Sequence, residues 1–226
     1  MDSIKPLDFA SGPLVWIDCE MTGLNPKTDK ILEIAVLITN GDLELVDPGI
    51  QYIIRTEKDV LDHISQNGRV VHKSARKSAC YIELTQKPTS DQGRRLQSGL
   101  TEACLESPYS KEYVANEVLK YIQRWVPTQR IGVLAGNSVH ADRAFLVEEM
   151  PEVVEWLHYR IVDVSSIKEL CRRWFPNRLP PKSIFTNNGE TAHRALDDIR
   201  GSIRELQWYR SNIFAPSGAA QGSRRT

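Results

Sequence analysis

The sequence lacks the features that mark several functional classes. Its 226 residues carry 29 basic and 29 acidic side chains, so the formal net charge is zero. A chain without a positive excess does not meet nucleic acid through a general basic coat, although local basic patches remain open to it. No apolar run approaches the roughly 18 residues that a transmembrane helix needs. We therefore expect no membrane partner.

Cysteine is scarce and scattered. The four cysteines form no C-x-x-C pair and no Cys/His cluster with zinc spacing, which predicts free thiols in a reducing compartment. No predicted strand is followed by G-x-G-x-x-G, and this argues against a nucleotide cofactor. Residues 1–13 resemble a flexible leader with neither an apolar nor an Arg-rich targeting segment, which favours an intracellular protein.

Short apolar runs predict five strands, namely Leu14–Ile17, Ile31–Thr39, Gln51–Arg55, Ile131–Ala135 and Tyr159–Val164. The Asn40-Gly41 turn predicts that the second and third strands pair antiparallel. Apolar residues at helical spacing predict four helices, which are Tyr109–Trp125, one ending near Met150, Ser165–Trp174 with Ser165 as its N-cap, and Thr191–Arg210.

This element order predicts an α/β fold in which helices flank a mixed central sheet. We assign one domain to residues 14–213 and a disordered tail to residues 214–226. Residues 65–100 are different, because His72–Gln97 is polar and basic and follows neither the strand nor the helix period. No element is predicted there.

Asp18 and Glu20 are the first candidates for chemistry. They are two residues apart at the end of a predicted buried strand, so their side chains share one face. Adjacent carboxylates repel each other and are costly to bury unless a cation neutralises them. Hard carboxylate oxygens suit Mg²⁺ or Mn²⁺. The alternative is a pair of ordinary loop carboxylates.

Three further candidates come later in the chain. Asp142 opens a predicted helix, where the helix dipole alone would favour an acid. His193 and Asp197 are i, i+4 neighbours in the last predicted helix. Pairing His193 with Asp198 instead requires the histidine to lie in the loop before that helix. Spacing leaves both pairs open, and an ordinary surface histidine is the third possibility.

Together these residues resemble the DEDDh 3′-to-5′ exonucleases, and most closely the oligoribonuclease family among them. The resemblance rests on separated blocks that cover residues 14–60 and 100–213, which are WIDCEMTGL (16–24), DKILEIAVLIT (29–39), QRWVP (123–127), GNSVHADRAFL (136–146), YRIVDVSSIKELCRRW (159–174) and HRALDDIRGSIREL (193–206). It implies a ribonuclease H-like exonuclease domain that removes mononucleotides from very short single-stranded RNA.

The resemblance also implies roles for individual residues. Two divalent metal ions, Mg²⁺ or Mn²⁺, are expected on four ligands, namely Asp18, Glu20, Asp142 and Asp198. His193 becomes the general base for the attacking water, and Asp197 has no direct role in catalysis.

Further positions match substrate-binding residues of the family. Leu24 corresponds to the residue that contacts a terminal base, and His72 to a substrate-binding histidine. Ser138, Arg160 and Ser165 correspond to residues that close over the 5′ phosphate of a dinucleotide. Tyr159 corresponds to a tyrosine that reaches across a homodimer. Family members work in the cytoplasm or the mitochondrion.

One region departs from the family pattern. Residues 65–72 lack the expected tryptophan, and about 23 residues at Ala75–Gln97 match nothing in the family. We consider two explanations, a surface insertion, which loop entropy tolerates, and translated intron sequence.

Three functions stay in competition at this point. The first is hydrolysis of very short RNA. The second is a broader exonuclease that acts on longer RNA or DNA, against which the Tyr159-Arg160 match argues. The third is a nucleic-acid-binding protein that has lost activity, which is disfavoured because all five catalytic residues are present.

Overall fold

An eight-residue strand rich in apolar side chains lies at the centre of a five-stranded sheet. The computed structural model describes residues 5–61, 91–181, 184 and 195–215. The strands are β1 (Leu14–Met21), β2 (Ile31–Thr39), β3 (Ile50–Ile53), β4 (Val133–Gly136) and β5 (His158–Asp163), in the order β3-β2-β1-β4-β5. The β1–β2 and β2–β3 pairs are antiparallel, and the β1–β4 and β4–β5 pairs are parallel. The predicted mixed sheet and the antiparallel pairing of β2 with β3 are confirmed.

Helices cover both faces of this sheet. They are α1 (Asp91–Glu106), α2 (Lys111–Trp125), α3 (Val139–Glu149), α4 (Pro151–Trp156), α5 (Val164–Trp174) and α6 (Ala195–Tyr209), and a π-helical turn follows at Arg210–Phe214. Within the described ranges, no helix is long and apolar enough to cross a bilayer. Helix α1 begins inside the segment in which we predicted no element. Residues 62–90, which include most of the unmatched segment, lie outside the described residues.

The side chains of β1 alternate between two separate cores. Val15, Ile17 and Cys19 face a core completed by α2 and α3. Trp16 faces the other core, which contains residues of α5 and α6 such as Ile199. Because successive side chains of a strand point to opposite faces, the even-numbered Asp18 and Glu20 follow Trp16 onto the α6 side.

The predicted N-cap of α5 is wrong. Helix α5 begins at Val164, and its N-cap is Asp163, whose side chain accepts a hydrogen bond from the Ser165 backbone N–H at 2.9 Å. A carboxylate in this position both satisfies an unpaired N–H and matches the positive end of the helix dipole, so it serves better than the serine hydroxyl.

The described cysteines carry free thiols, as predicted. Cys19, Cys104 and Cys171 are buried and unbridged, and Cys80 lies outside the described residues. Burial, reinforced by the nearby carboxylate of Glu33, raises the pKa of Cys104 to about 12. That thiol therefore stays protonated and unreactive at neutral pH.

Asp47 fastens the loop between β2 and β3 to helix α2. Its carboxylate accepts hydrogen bonds from the Tyr121 hydroxyl at 2.6 Å, the Trp125 indole N–H at 2.8 Å and the Gly49 backbone N–H at 2.8 Å. Burial and this hydrogen bond to Asp47 raise the pKa of Tyr121. The phenol therefore remains a donor throughout the physiological pH range.

Replacing Asp47 by alanine should lower the free energy of unfolding by about 2–3 kcal/mol, because three donors lose a charged acceptor together. Urea unfolding measures the change. Asp42→Ala is the matched control, since Asp42 forms only a surface ion pair with Arg210 at 2.5 Å and both side chains are more than half exposed. Its loss should cost less than about 1 kcal/mol. Equal effects of the two substitutions would contradict the assignment.

Candidate active site

Three carboxylates meet where β1 passes beneath helix α6. Asp18 and Glu20 are only 8% and 2% exposed. Asp198, in the first turn of α6, joins them, and one oxygen from each of the three side chains lies within 4.8 Å of the other two. Ala195 and Ile199 anchor this turn of the helix in the core on that side of the sheet.

Asp142 lies beside this cluster and is fully buried. Its Oδ1 accepts a hydrogen bond of 3.0 Å from the backbone N–H of Cys19, the residue between Asp18 and Glu20. The geometry follows from the sheet, because β1 pairs with β4 only as far as Trp16 and extends beyond the end of that strand. The first turn of α3 then supplies the acceptor that a neighbouring strand would otherwise provide.

The donor set of this site suits a hard divalent cation. Asp18, Glu20 and Asp198 offer only carboxylate oxygens, the ligands that Mg²⁺ and Mn²⁺ prefer over nitrogen and sulfur. Three carboxylates this close repel one another, and the repulsion is strong because two of them are largely shielded from water. A bound cation removes that cost. The residues present therefore fit a divalent metal.

Asp197 and Asp198, which are neighbours in the last helix, have side chains in different surroundings. Asp198 faces the cluster, whereas the side chain of Asp197 is 37% exposed and pairs with Arg200 at 3.3 Å. Asp198 is therefore the acid of α6 that meets β1. His193 lies outside the described residues, and so does His72.

Ser138 and Ser165 come together at the ends of β4 and β5. Their hydroxyl oxygens are 3.0 Å apart, and the Ser138 backbone N–H donates to Ser165 Oγ and to Asp163 Oδ1, each at 2.8 Å. Asp163 Oδ2 also lies 3.2 Å from Nδ1 of His140. We did not predict Asp163 from the sequence, although an acid just before a helical pattern is a recognised N-cap signal.

Tyr159 and Arg160 lie on β5, which is an edge strand of the sheet. Tyr159 is 72% exposed, and its ring stacks on His158 with centroids 4.5 Å apart. The Arg160 guanidinium carbon lies 5.3 Å from the centre of the Tyr159 ring. Arg160 therefore packs on Tyr159 at an edge of the sheet.

Leu24 projects from a tightly closed loop between β1 and β2, and it is 42% exposed. Asp29 closes this loop by accepting hydrogen bonds from the Thr22 hydroxyl at 3.2 Å and the Asn25 backbone N–H at 2.8 Å. A Cβ atom on Gly23 would lie only 2.3 Å from the Asp29 carboxylate, so a side chain there would push Asp29 away from these hydrogen bonds. Leu24 is consequently presented on a fixed support.

Helix α3 contacts the β1–β2 region at both of its ends. Its first turn carries Asp142, and its last residue is Glu149, whose Oε2 accepts from the Ile31 backbone N–H at 3.1 Å. Glu149 Oε1 forms an ion pair with Lys30 at 3.2 Å. One helix therefore holds both the carboxylate end of β1 and the start of β2.

Comparison with known proteins places this chain in a family. Residues 15–67 and 62–206 match the RNase T exonuclease family. An oligoribonuclease from Rhodococcus jostii is 40% identical over 205 residues, covering 90% of this chain and 88% of that protein. The mitochondrial oligoribonuclease of Homo sapiens is 40% identical over 201 residues, covering 89% and 73% respectively.

Solved structures support the fold. Exonuclease I from Methylocaldum szegediense superposes with a TM-score of 0.58 at 14% sequence identity, over 90% of this chain and 41% of that one. The complex of Escherichia coli exonuclease I with single-stranded DNA gives a TM-score of 0.58 at 12% identity, over 89% and 40%. This chain spans less than half the length of these structures. It has an exonuclease fold, and by its sequence it belongs to the oligoribonuclease family.

Adjacent substitutions on α6 test the metal site without an activity assay. Saturating Mn²⁺ should stabilise the wild-type protein, by about 2.7 kcal/mol at a hundred times the Kd. Asp198→Asn should abolish this gain and also stabilise the metal-free protein, because it removes one of three repelling charges. Differential scanning calorimetry with Mn²⁺ and with EDTA measures both effects.

Asp197→Asn is the control for that measurement. It changes the same charge in the same turn of helix α6 but leaves the carboxylate cluster intact, so the Mn²⁺ stabilisation should persist. The assignment fails if Asp197→Asn loses the stabilisation while Asp198→Asn keeps it.

Proposed function

We propose that this protein is a 3′-to-5′ exoribonuclease that hydrolyses dinucleotides and other very short single-stranded RNAs to 5′-mononucleotides. The observation that carries the proposal is the meeting of Asp18, Glu20 and Asp198, with Asp142 bonded to the backbone between the first two, in a member of the oligoribonuclease family. The enzyme is a hydrolase of phosphodiester bonds.

Asp18, Glu20, Asp142 and Asp198 would hold two divalent ions, Mg²⁺ or Mn²⁺. Such ions, when bound, help to generate the nucleophile and stabilise the leaving oxygen of an in-line displacement. His193 takes one proton from the attacking water on its imidazole nitrogen, for which a pKa near neutrality is suited. The water oxygen bonds to phosphorus, and the bond to the 3′ oxygen of the preceding nucleotide breaks. That oxygen gains a proton from solvent, His193 returns its proton to solvent, and the terminal 5′-mononucleotide leaves.

Substrate length follows from the two ends of the proposed site. Leu24 would contact the terminal base, because a rigidly held apolar side chain accepts any base face. At the other end, Ser138 and Ser165 would receive the 5′ phosphate of a dinucleotide, together with Arg160 and His72. A longer RNA would have to continue through this closed end.

Tyr159 supports a homodimer as part of the proposal. It is largely exposed on an edge strand, where a second copy of the chain can approach it. In a twofold dimer, Tyr159 of each subunit would then reach the neighbouring site.

Turnover of two labelled RNAs tests the proposed function. The wild-type enzyme should hydrolyse a 5′-labelled RNA dinucleotide far faster than a twenty-nucleotide RNA, with Mg²⁺ or Mn²⁺ and not with EDTA. Asp198→Ala should lower kcat by more than about a hundredfold, since it removes a ligand rather than an outer contact. Asp197→Ala should stay close to wild type.

Other outcomes identify the competing functions. Comparable degradation of the long RNA would favour a general exonuclease. Binding of RNA without metal-dependent turnover would favour an inactive binding protein. Either result would overturn the proposal.

The role of Leu24 has its own test. Leu24→Ala should raise KM for dinucleotides about tenfold and leave kcat nearly unchanged, because contact with a base is worth about 1–3 kcal/mol. Leu45→Ala is the matched control, since Leu45 is a comparably exposed leucine outside the site, 46% against 42%. Steady-state kinetics on several dinucleotides measure the effect, and an unchanged KM in Leu24→Ala would refute the contact.

A further inference from the structure

A buried glutamate lies behind the two serines at the closed end of the site. Glu205, on helix α6, is 0% exposed and accepts three hydrogen bonds. Its donors are the Lys168 ammonium at 2.7 Å, the Tyr209 hydroxyl at 3.2 Å and the Asn137 side-chain amide at 3.2 Å. An ionised group is costly to bury, and three donors, one of them charged, offset that cost.

Glu205 determines which way the Asn137 side chain points. An ionised carboxylate only accepts hydrogen bonds, so the amide nitrogen of Asn137 must face it and the amide oxygen must face away. The outward oxygen, Oδ1, lies 3.1 Å from Ser165 Oγ. Because an amide oxygen only accepts, Ser165 donates its single hydroxyl proton to Asn137.

That donation makes the two serines unequal. The Ser165 oxygen is left as an acceptor, and it receives the Ser138 backbone N–H at 2.8 Å with the Ser138 hydroxyl 3.0 Å away. Ser138 has a left-handed backbone, with φ 53° and ψ 34°. Such a conformation is unfavourable for serine, and the hydrogen bonds of its N–H to Ser165 and Asp163 hold it in place. If the Ser138 hydroxyl turns its proton outward, it gives up only its own bond to Ser165 Oγ, which keeps the Ser138 backbone N–H as a donor. If Ser165 turned its proton outward, it would take away the donor to Asn137 Oδ1.

Asn137 also contacts the metal side of the site. Its amide nitrogen donates to the Ser202 hydroxyl at 2.8 Å, and that hydroxyl donates to the backbone carbonyl of Asp198 at 2.9 Å. A single amide therefore bonds both to the serine pair and to the turn of α6 that carries Asp198.

We propose that Asn137 and Glu205 are positioning residues for recognition of the substrate's 5′ phosphate. Glu205 orients Asn137, Asn137 takes the proton of Ser165, and the Ser138 hydroxyl becomes the serine donor to the phosphate. The inference rests on the proposed function, because that function places the 5′ phosphate at these two serines. It adds two residues that touch neither the RNA nor the reacting atoms.

The test compares the dinucleotide pApA with ApA, which lacks the 5′ phosphate. The measured quantity is the ratio of the two kcat/KM values, which does not depend on how much of a preparation is folded. Glu205→Gln removes the charge that orients Asn137, and Asn137→Asp replaces the donor amide by an acceptor. Each substitution should raise KM for pApA and so lower the ratio about tenfold. The value of kcat/KM for ApA should change much less.

Asp47→Asn is the matched control. It also removes a charge that accepts three hydrogen bonds, but Asp47 lies between the β2–β3 loop and α2 and not at the closed end of the site. Its ratio should equal that of the wild type even if the protein is less stable.

The possible outcomes distinguish a failure of this inference from a failure of the proposed function. If the wild type hydrolyses neither dinucleotide, the proposed function fails and the inference fails with it. If the wild type hydrolyses pApA and ApA equally well, the exonuclease stands but the phosphate site and this inference fall. The third case is a wild type that prefers pApA and variants whose ratio of kcat/KM values equals that of the wild type. This happens if both values are unchanged or if both fall by the same factor. Asn137 and Glu205 are then only structural, and the inference is wrong.

Discussion

Mutual repulsion among Asp18, Glu20 and Asp198 is the constraint on which the rest of the structure depends. Three carboxylates at this spacing oppose folding until a cation neutralises them, so the surrounding elements must hold them in place. Strand β1 holds Asp18 and Glu20, because it lies in the middle of the sheet between β2 and β4. Helix α6 holds Asp198 through the apolar side chains that it packs against the sheet. The site is thus built on a central strand and a packed helix, elements that maintain catalytic geometry better than loops do.

Much of this architecture could be predicted because it is local in sequence. The order of strands and helices along the chain was sufficient to predict the mixed sheet, and the turn that follows β2 was sufficient to predict its antiparallel pairing with β3. The period of two in β1 was sufficient to place Asp18 and Glu20 on one face. Spacing did not decide between Asp197 and Asp198, since both lie in one turn of α6. The choice came from the family resemblance, and only the packing of α6 against β1 explains it physically.

Other features could not be predicted because their causes are distant in sequence. Helix α1 begins in a polar stretch, and its apolar residues at helical spacing, Leu96, Leu100 and Cys104, come only after the first turn, so its start was not predicted. Asn137 and Glu205 are 68 residues apart, and their contact exists only because α6 returns to the end of β4. Asp142 and Cys19 are 123 residues apart. Such contacts are products of topology, which a local pattern does not encode.

Helix α3 has a mechanical consequence for the connection between β1 and β2. Asp142 and Glu149 are two turns apart on this helix, about 10 Å along its axis, and each is bonded to the backbone of a different end of the β1–β2 connection. The helix therefore holds the end of β1, next to the carboxylate cluster, at a fixed distance from the start of β2. These two strand ends flank the loop that carries Leu24. Because an α-helix resists stretching, the two strand ends that carry this loop would keep a constant separation while a substrate enters or leaves.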